Sequence, residues 1–157
     1  MKYEDMTDNE LNALAATKIM GWQKTIYNID RIPPFTWWMD KKIKTEDHSG
    51  AIMHRKDWNP TNPDSNQIQN YIFPVLMKKY GNKIYWRISG MFEGIFVGFY
   101  KCEPWSPEKR NVTTAYEWCG LKPKHLIPIY ENFSVTYETL NKTTLIACLR
   151  AMEKLNK

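Results

Sequence analysis

From Ile84 onward the chain alternates: Ile84, Trp86 and Ile88 are large and apolar, and Tyr85, Arg87 and Ser89 stand between them. A repeat of two is the signature of a strand with one buried face. A second strand-like run, Ile95 to Cys102, follows, with Gly90 and Gly94 punctuating the connection, so the two runs are expected to pair as a hairpin. The fold must therefore contain an antiparallel pair, with Arg87 turned away from the core. Val112 to Cys119 alternates again and reads as a further strand, and Ser134 to Glu138 reads as a last short one.

Helical signals flank this β region. Thr7-Asp8-Asn9-Glu10 has the form of a capping box, Leu11, Leu14, Ala15 and Ile19 follow at helical spacing, and Gly21 is placed to end the helix in a left-handed cap before Trp22, a core anchor. Asn59-Pro60-Thr61-Asn62-Pro63-Asp64 is dense turn chemistry. Asn62 is the expected N-cap and Pro63 the first residue of a second helix, whose stripe is Ile68, Tyr71, Ile72, Val75 and Leu76. Pro74 lies inside that stripe and should kink or shorten it. Leu145, Ile146, Leu149, Met152 and Leu155 form a third amphipathic helix, capped by Asn141, Thr143 or Thr144, with Lys154 and Lys157 near its C-terminus. Between Gln23 and Trp58 the pattern is mixed. Pro33-Pro34 predicts an extended turn, with a short strand and a long loop carrying Trp37 and Trp38, and Lys41 to His48 as an exposed insertion or lid.

A chain of 157 residues suits one domain, 1–157, that needs no disulfide or metal staple. Cys102, Cys119 and Cys148 are widely spaced, without a C-x-x-C motif, and are expected to be reduced, buried thiols. The first residues are not a signal peptide and no stretch approaches a membrane span, so a cytoplasmic protein is expected. The sequons at Asn111, Asn132 and Asn141 are accordingly taken as chance.

No G-x-G-x-x-G, Walker loop, H-E-x-x-H or EF-hand pattern occurs, the acids are not paired, and His48, His54 and His125 read as separate surface residues. No catalytic residue, metal site or cofactor is implied. What remains is binding chemistry. Aromatic residues are 14% of the chain, with seven Trp, and 22 basic residues stand against 17 acidic ones, for a net charge of +5. Excess rings and positive charge favour an anionic, planar partner. Trp58-Asn59-Pro60-Thr61-Asn62 leads into a helix N-terminus, where free N–H groups favour phosphate and Trp58 could stack a base. Arg87 and Arg110 offer planar forks for phosphate, and Trp37, Trp38 and Trp105 are loop rings open to stacking. The candidate ligand-binding set is thus Trp37, Trp38, Trp58, Asn59, Thr61, Asn62, Arg87, Trp105 and Arg110. The plain alternative is that Asn62 caps and Trp58 packs.

Leu11-Asn12-Ala13-Leu14-Ala15-Ala16-Thr17-Lys18-Ile19-Met20-Gly21-Trp22 resembles the opening helix of the phage ABA sandwich family, which reads close to L-x-x-L-(V/I)-A-x-K-V-M-G-W. Trp58-Asn59-Pro60-Thr61 resembles that family's S-P-(S/T) segment, with Asn59 in place of Ser, and Leu145 to Met152 resembles its closing A-I-x-R-A-A-L helix. The resemblance implies an α+β fold: an α-β-α sandwich with a small, mainly antiparallel sheet and three main helices, with loop insertions at 23–57 and 103–133. It also implies a phage protein acting in the cytoplasm of an infected bacterial host cell. Combined with an aromatic, basic pocket, it leads to the expectation of a homo-oligomeric anti-defence protein. Such a protein would bind and sequester a nucleotide immune signal, cyclic or ADP-ribose-derived, without cleaving it. A nucleic-acid-binding accessory protein and a protein inhibitor of a host defence enzyme are the alternatives.

Overall fold

The computed structural model describes residues 2–29, 32–40, 58–92, 94–109, 111–116 and 123–157. His48, His54, Arg110, Cys119 and the segment Lys41–His48 lie outside the described residues. The first helix, α1 (Asp8–Leu14), opens as its sequence requires. Thr7 Oγ1 accepts from Glu10 N, and Thr7 N donates to Glu10 Oε2 at 2.7 Å. The helix widens into a π turn, Ala15–Ile19, and stops at Gly21, whose φ of +72° is the left-handed conformation that favours glycine.

Two strands follow, β1 (Trp22–Ile29) and β2 (Ile32–Asp40), paired as an antiparallel hairpin. Here the sequence expectation fails: Trp37 and Trp38 are on a strand, not in a loop, and Trp38 is buried. The Pro33-Pro34 pair lies within β2, opposite a register shift between Tyr27 and Ile29. Proline's fixed φ suits extended backbone, and the irregular pairing removes the demand for the two missing N–H donors.

The second helix begins later than expected. Asn62 and Pro63 belong to turns, and the helical path opens with a π turn, Ile68–Ile72, followed by α2 (Phe73–Tyr80). In the π turn Phe73 N–H donates to Ile68 O, one residue further back than in an α-helix. That wide turn places Pro74 in the first turn of α2, where its missing donor costs little.

The main sheet consists of β3 (Ile84–Met91), β4 (Gly94–Pro104), β5 (Thr113–Tyr116) and β6 (Pro123–Val135), ordered β3-β4-β6-β5, all antiparallel. The expected hairpin is β3–β4, closing at Met91 opposite Gly94. Ile88, expected in the core, is exposed because the alternation of burial fades along β3. The expected short strand Ser134–Glu138 is instead the end of β6 and the start of α3 (Tyr137–Leu155). Thr136, with Thr139, caps α3 in place of Asn141, Thr143 or Thr144, all three of which are buried inside the helix.

The architecture is therefore α+β: three main helices and a four-stranded antiparallel sheet, with helix-on-sheet packing consistent with an α-β-α arrangement. Leu145, Leu149 and Met152 of α3, Ile72 of the π turn and Leu76 of α2 share one core with Val97, Phe99 and Val135 of the sheet. Phe73 leans on Trp86 at 4.7 Å between ring centroids. Cys148 is fully enclosed in this core, and its burial pushes the thiol pKa far up. Among the described residues, the opposite sheet face is packed by the sheet's own side chains, Phe96, Tyr100 and Leu126. Within the same residues no helix is long and apolar enough to cross a membrane.

Candidate functional site

The segment expected to receive phosphate is a structural staple. Trp58 is 7% exposed; its ring meets Trp22 edge-on at 4.8 Å, and its Nε1–H donates to Asn12 O at 2.8 Å. Asn12, also buried, uses both ends of its amide: Nδ2 donates to Asn59 Oδ1 at 2.8 Å, and Oδ1 accepts from Thr61 N at 3.1 Å. Asn59 Oδ1 also accepts from the hydroxyl of buried Thr61, and Asn62 Oδ1 closes a turn by accepting from Asp64 N. From the other side Asn141, 4% exposed, donates to the carbonyls of Asn62 at 2.6 Å and Ser65 at 2.8 Å. An open depression of about 570 Å³ does lie there, lined by Trp58, Asn59, Asn62, Asp64, Ser65, Asn66 and Gln67. Among the described residues its one charged lining group is the Asp64 carboxylate, which does not attract an anion.

Of the other expected residues, Arg87 is exposed, with its guanidinium 6.0 Å from the Phe96 ring. Trp105 is 50% exposed and lies nearly parallel to the His125 ring at 6.2 Å. His125 is not the surface residue expected: it is buried, and its Nε2 lies 2.7 Å from both Ser106 N and Ser106 O. The structure thus separates Trp58, Asn59, Thr61 and Asn62 from Arg87 and Trp105 instead of joining them in one pocket.

What the fold does bring together is lysine. A cleft of about 560 Å³ lies where the C-terminal end of α3 meets the sheet. Lys83 reaches it from the turn before β3, Lys101 and Glu103 from β4, Lys124 from β6, and Lys154 and Lys157 from the end of α3. Among the described residues five lysine side chains face one acidic side chain. Glu103 is hydrogen-bonded by Lys109 and, at 2.9 Å, by Lys101, and these bonds hold its carboxyl down at about 2. Lys124 Nζ donates to Asn82 O. Among the described residues, Lys83, Lys154 and Lys157 have no carboxylate partner. Part of this charge offsets the carbonyl end of the α3 dipole. The remainder is a positive field in a concave, partly apolar setting, with Cys102, Pro104 and Leu155 completing the wall.

Cys102, which also lines the cleft, packs with Phe96, Tyr100 and Leu126 on the sheet face that no described helix covers. There Phe96 and Tyr100 lie across Gly98 so closely that a Cβ at Gly98 would be 2.6 Å from Phe96 Cζ and 2.8 Å from the Tyr100 hydroxyl. Tyr100 donates to Glu131 at 2.7 Å, and burial together with that acceptor raises its pKa. Tyr85 stands beside Tyr100, ring centroids 5.9 Å apart, and Phe133 beside Phe96 at 4.8 Å. Sequence reasoning missed the cleft because its lysines are solitary in the chain; only the strand order and the docking of α3 assemble them. Among the described residues no group of three or more His, Cys, Asp or Glu could hold a metal ion. Comparison with family models, with characterised proteins and with solved structures finds no match to this chain.

Proposed function

We propose that this protein binds a nucleotide-type small molecule through its phosphates and holds it intact, as a sequestering protein and not a catalyst. The carrying observation is the lysine cleft: a concave volume of about 560 Å³ with five ammonium groups and one carboxylate. Ammonium groups bind phosphate as point charges, and a concave site with low-dielectric walls strengthens the attraction. Retention without cleavage is supported by the lining chemistry. Glu103 is held near 2 by its lysines, which makes it a poor proton acceptor. On the resemblance to the phage ABA sandwich family, the ligand would be a nucleotide immune signal, cyclic or ADP-ribose-derived, withheld in the cytoplasm of an infected bacterium. A homo-oligomer would bury more of such a ligand than one chain's cleft.

The test is a thermal-shift panel of ATP, ADP-ribose and a cyclic dinucleotide. At one hundred times Kd, binding stabilises the folded state by about 2.7 kcal/mol, a rise in Tm of roughly 5–10 °C for a chain of this length. Replacing Lys83→Glu and Lys154→Glu together should abolish the shift, and ligand released by heating should keep its chromatographic position. No shift with any of the three at millimolar concentration would refute the proposal, and an altered released product would make the protein a hydrolase.

A further inference from the structure

We infer that Tyr85 is the platform on which the base of that nucleotide stacks, with the phosphates in the lysine cleft. The inference rests on the cleft being a phosphate site and adds the part of the ligand that lysines cannot recognise. Cys102, which lines the cleft, lies two residues beyond Tyr100 on the same face of β4, and Tyr100 is the cross-strand partner of Tyr85. At the rise of a β-strand the cleft therefore begins about 7 Å from the tyrosine pair. Lys83, another lining residue, is two residues before Tyr85 in the chain. That separation matches the reach from a nucleobase through its sugar to the first phosphate.

Tyr85 is suited to the task by its surroundings. The residue is 41% exposed, and its ring lies beside that of Tyr100, tilted by 45° at 5.9 Å; Tyr100 is buried and anchored through its hydroxyl to Glu131. A ring braced by an anchored neighbour loses less freedom when a base stacks on it. Gly98 keeps the neighbouring face low: Phe96 and Tyr100 lie over the position where a side chain would otherwise rise. Arg87, two residues further along β3 and exposed, offers donor groups at the edge of the same platform.

Calorimetric titration with two probes, ATP and inorganic tripolyphosphate, tests this on wild type, Tyr85→Ala and Tyr85→Trp. Wild type should bind ATP more tightly than tripolyphosphate. Tyr85→Ala should weaken ATP about tenfold to a hundredfold, the range of one base–aromatic stack, while leaving tripolyphosphate unchanged; Tyr85→Trp should restore ATP binding. If Tyr85→Ala leaves ATP binding unchanged, or weakens both probes equally, the stacking role is overturned while the phosphate site stands. If wild type binds neither probe, the phosphate site and the stacking role fall together.

Discussion

Replacing Gly98→Ala puts the packing of the Phe96–Tyr100 face of the sheet to a quantitative test. The added methyl carbon would sit 2.6 and 2.8 Å from two carbons of the Phe96 ring and 2.8 Å from the Tyr100 hydroxyl, all nearer than real side-chain contacts allow. Phe96 cannot simply swing away, because Phe133 stands 4.8 Å from it and the Arg87 guanidinium 6.0 Å. Overpacking of this kind costs about 1–3 kcal/mol. Displacing Tyr100 would also weaken its bond to the Glu131 carboxylate, worth about 1 kcal/mol where water can compete. Alanine returns about 0.5–1 kcal/mol through the lower entropy of its unfolded chain. The expected net loss is about 2 kcal/mol, read as a fall in Tm of roughly 4–8 °C or from urea unfolding followed by tryptophan fluorescence. The decisive measurement is a cycle with Phe96→Leu, which removes the clashing ring carbons. The double variant should be more stable than the sum of the single changes by about 1 kcal/mol, well above the 0.3–0.5 kcal/mol scatter of independent sites. A neutral Gly98→Ala, or strict additivity in the cycle, would refute the picture of rings lying over Gly98.

Asn141→Ala should lower stability by about 2–3 kcal/mol in urea unfolding, since it removes a buried amide that bonds the carbonyls of Asn62 and Ser65 and approaches that of Pro63. A loss below about 0.5 kcal/mol would mean that water replaces the amide freely. The Glu103 carboxyl, held at about 2 by Lys109 and then Lys101, contributes stability that is complete above the ordinary value of 4.5 and is lost as pH falls from there towards 2. Carboxyl NMR titration should place its midpoint near 2 and show it rising in Lys109→Met; a wild-type midpoint near 4 would remove the ion-paired arrangement.

Local chemistry was legible where a short stretch fixes its own geometry. The Thr7–Glu10 box, the left-handed Gly21 and the β3–β4 hairpin each need only nearby residues, and each forms as read, although the alternation of burial fades by Ile88. Misreadings occurred where tertiary partners compete with local preference. Asn62 and Pro63 have the right chemistry for a helix start, but Asn12 and Asn141 hold that stretch as a turn, and the helix waits until Ile68. Asn141 itself looked like a cap; buried against those carbonyls, it serves as a cross-link, and Thr136 takes the capping role. Pro33-Pro34 signalled a turn through local φ preference alone, whereas pairing with β1 holds the prolines in a strand at the point where the register slips.

The candidate site shows the same division more sharply. Aromatic surplus and positive charge were visible as totals, and totals do not say which residues meet. Of the tryptophans in the candidate set, Trp38 and Trp58 belong to the core, alongside Trp22, which was expected there. Stacking surface falls instead to Tyr85, which in sequence is merely the polar position of an alternating strand. Lys154 and Lys157 read as ordinary charges at a helix end, and Lys83, Lys101 and Lys124 carry no local signal. Their convergence follows from two facts of long range, that β4 lies between β3 and β6 and that α3 ends over their termini. A phosphate site built on a glycine-rich loop would have left a motif, because its donors are consecutive backbone N–H groups. One built from side chains on a turn, two strands and the end of a helix leaves none, so a motif search over this chain tests for the first kind of site and is blind to the second.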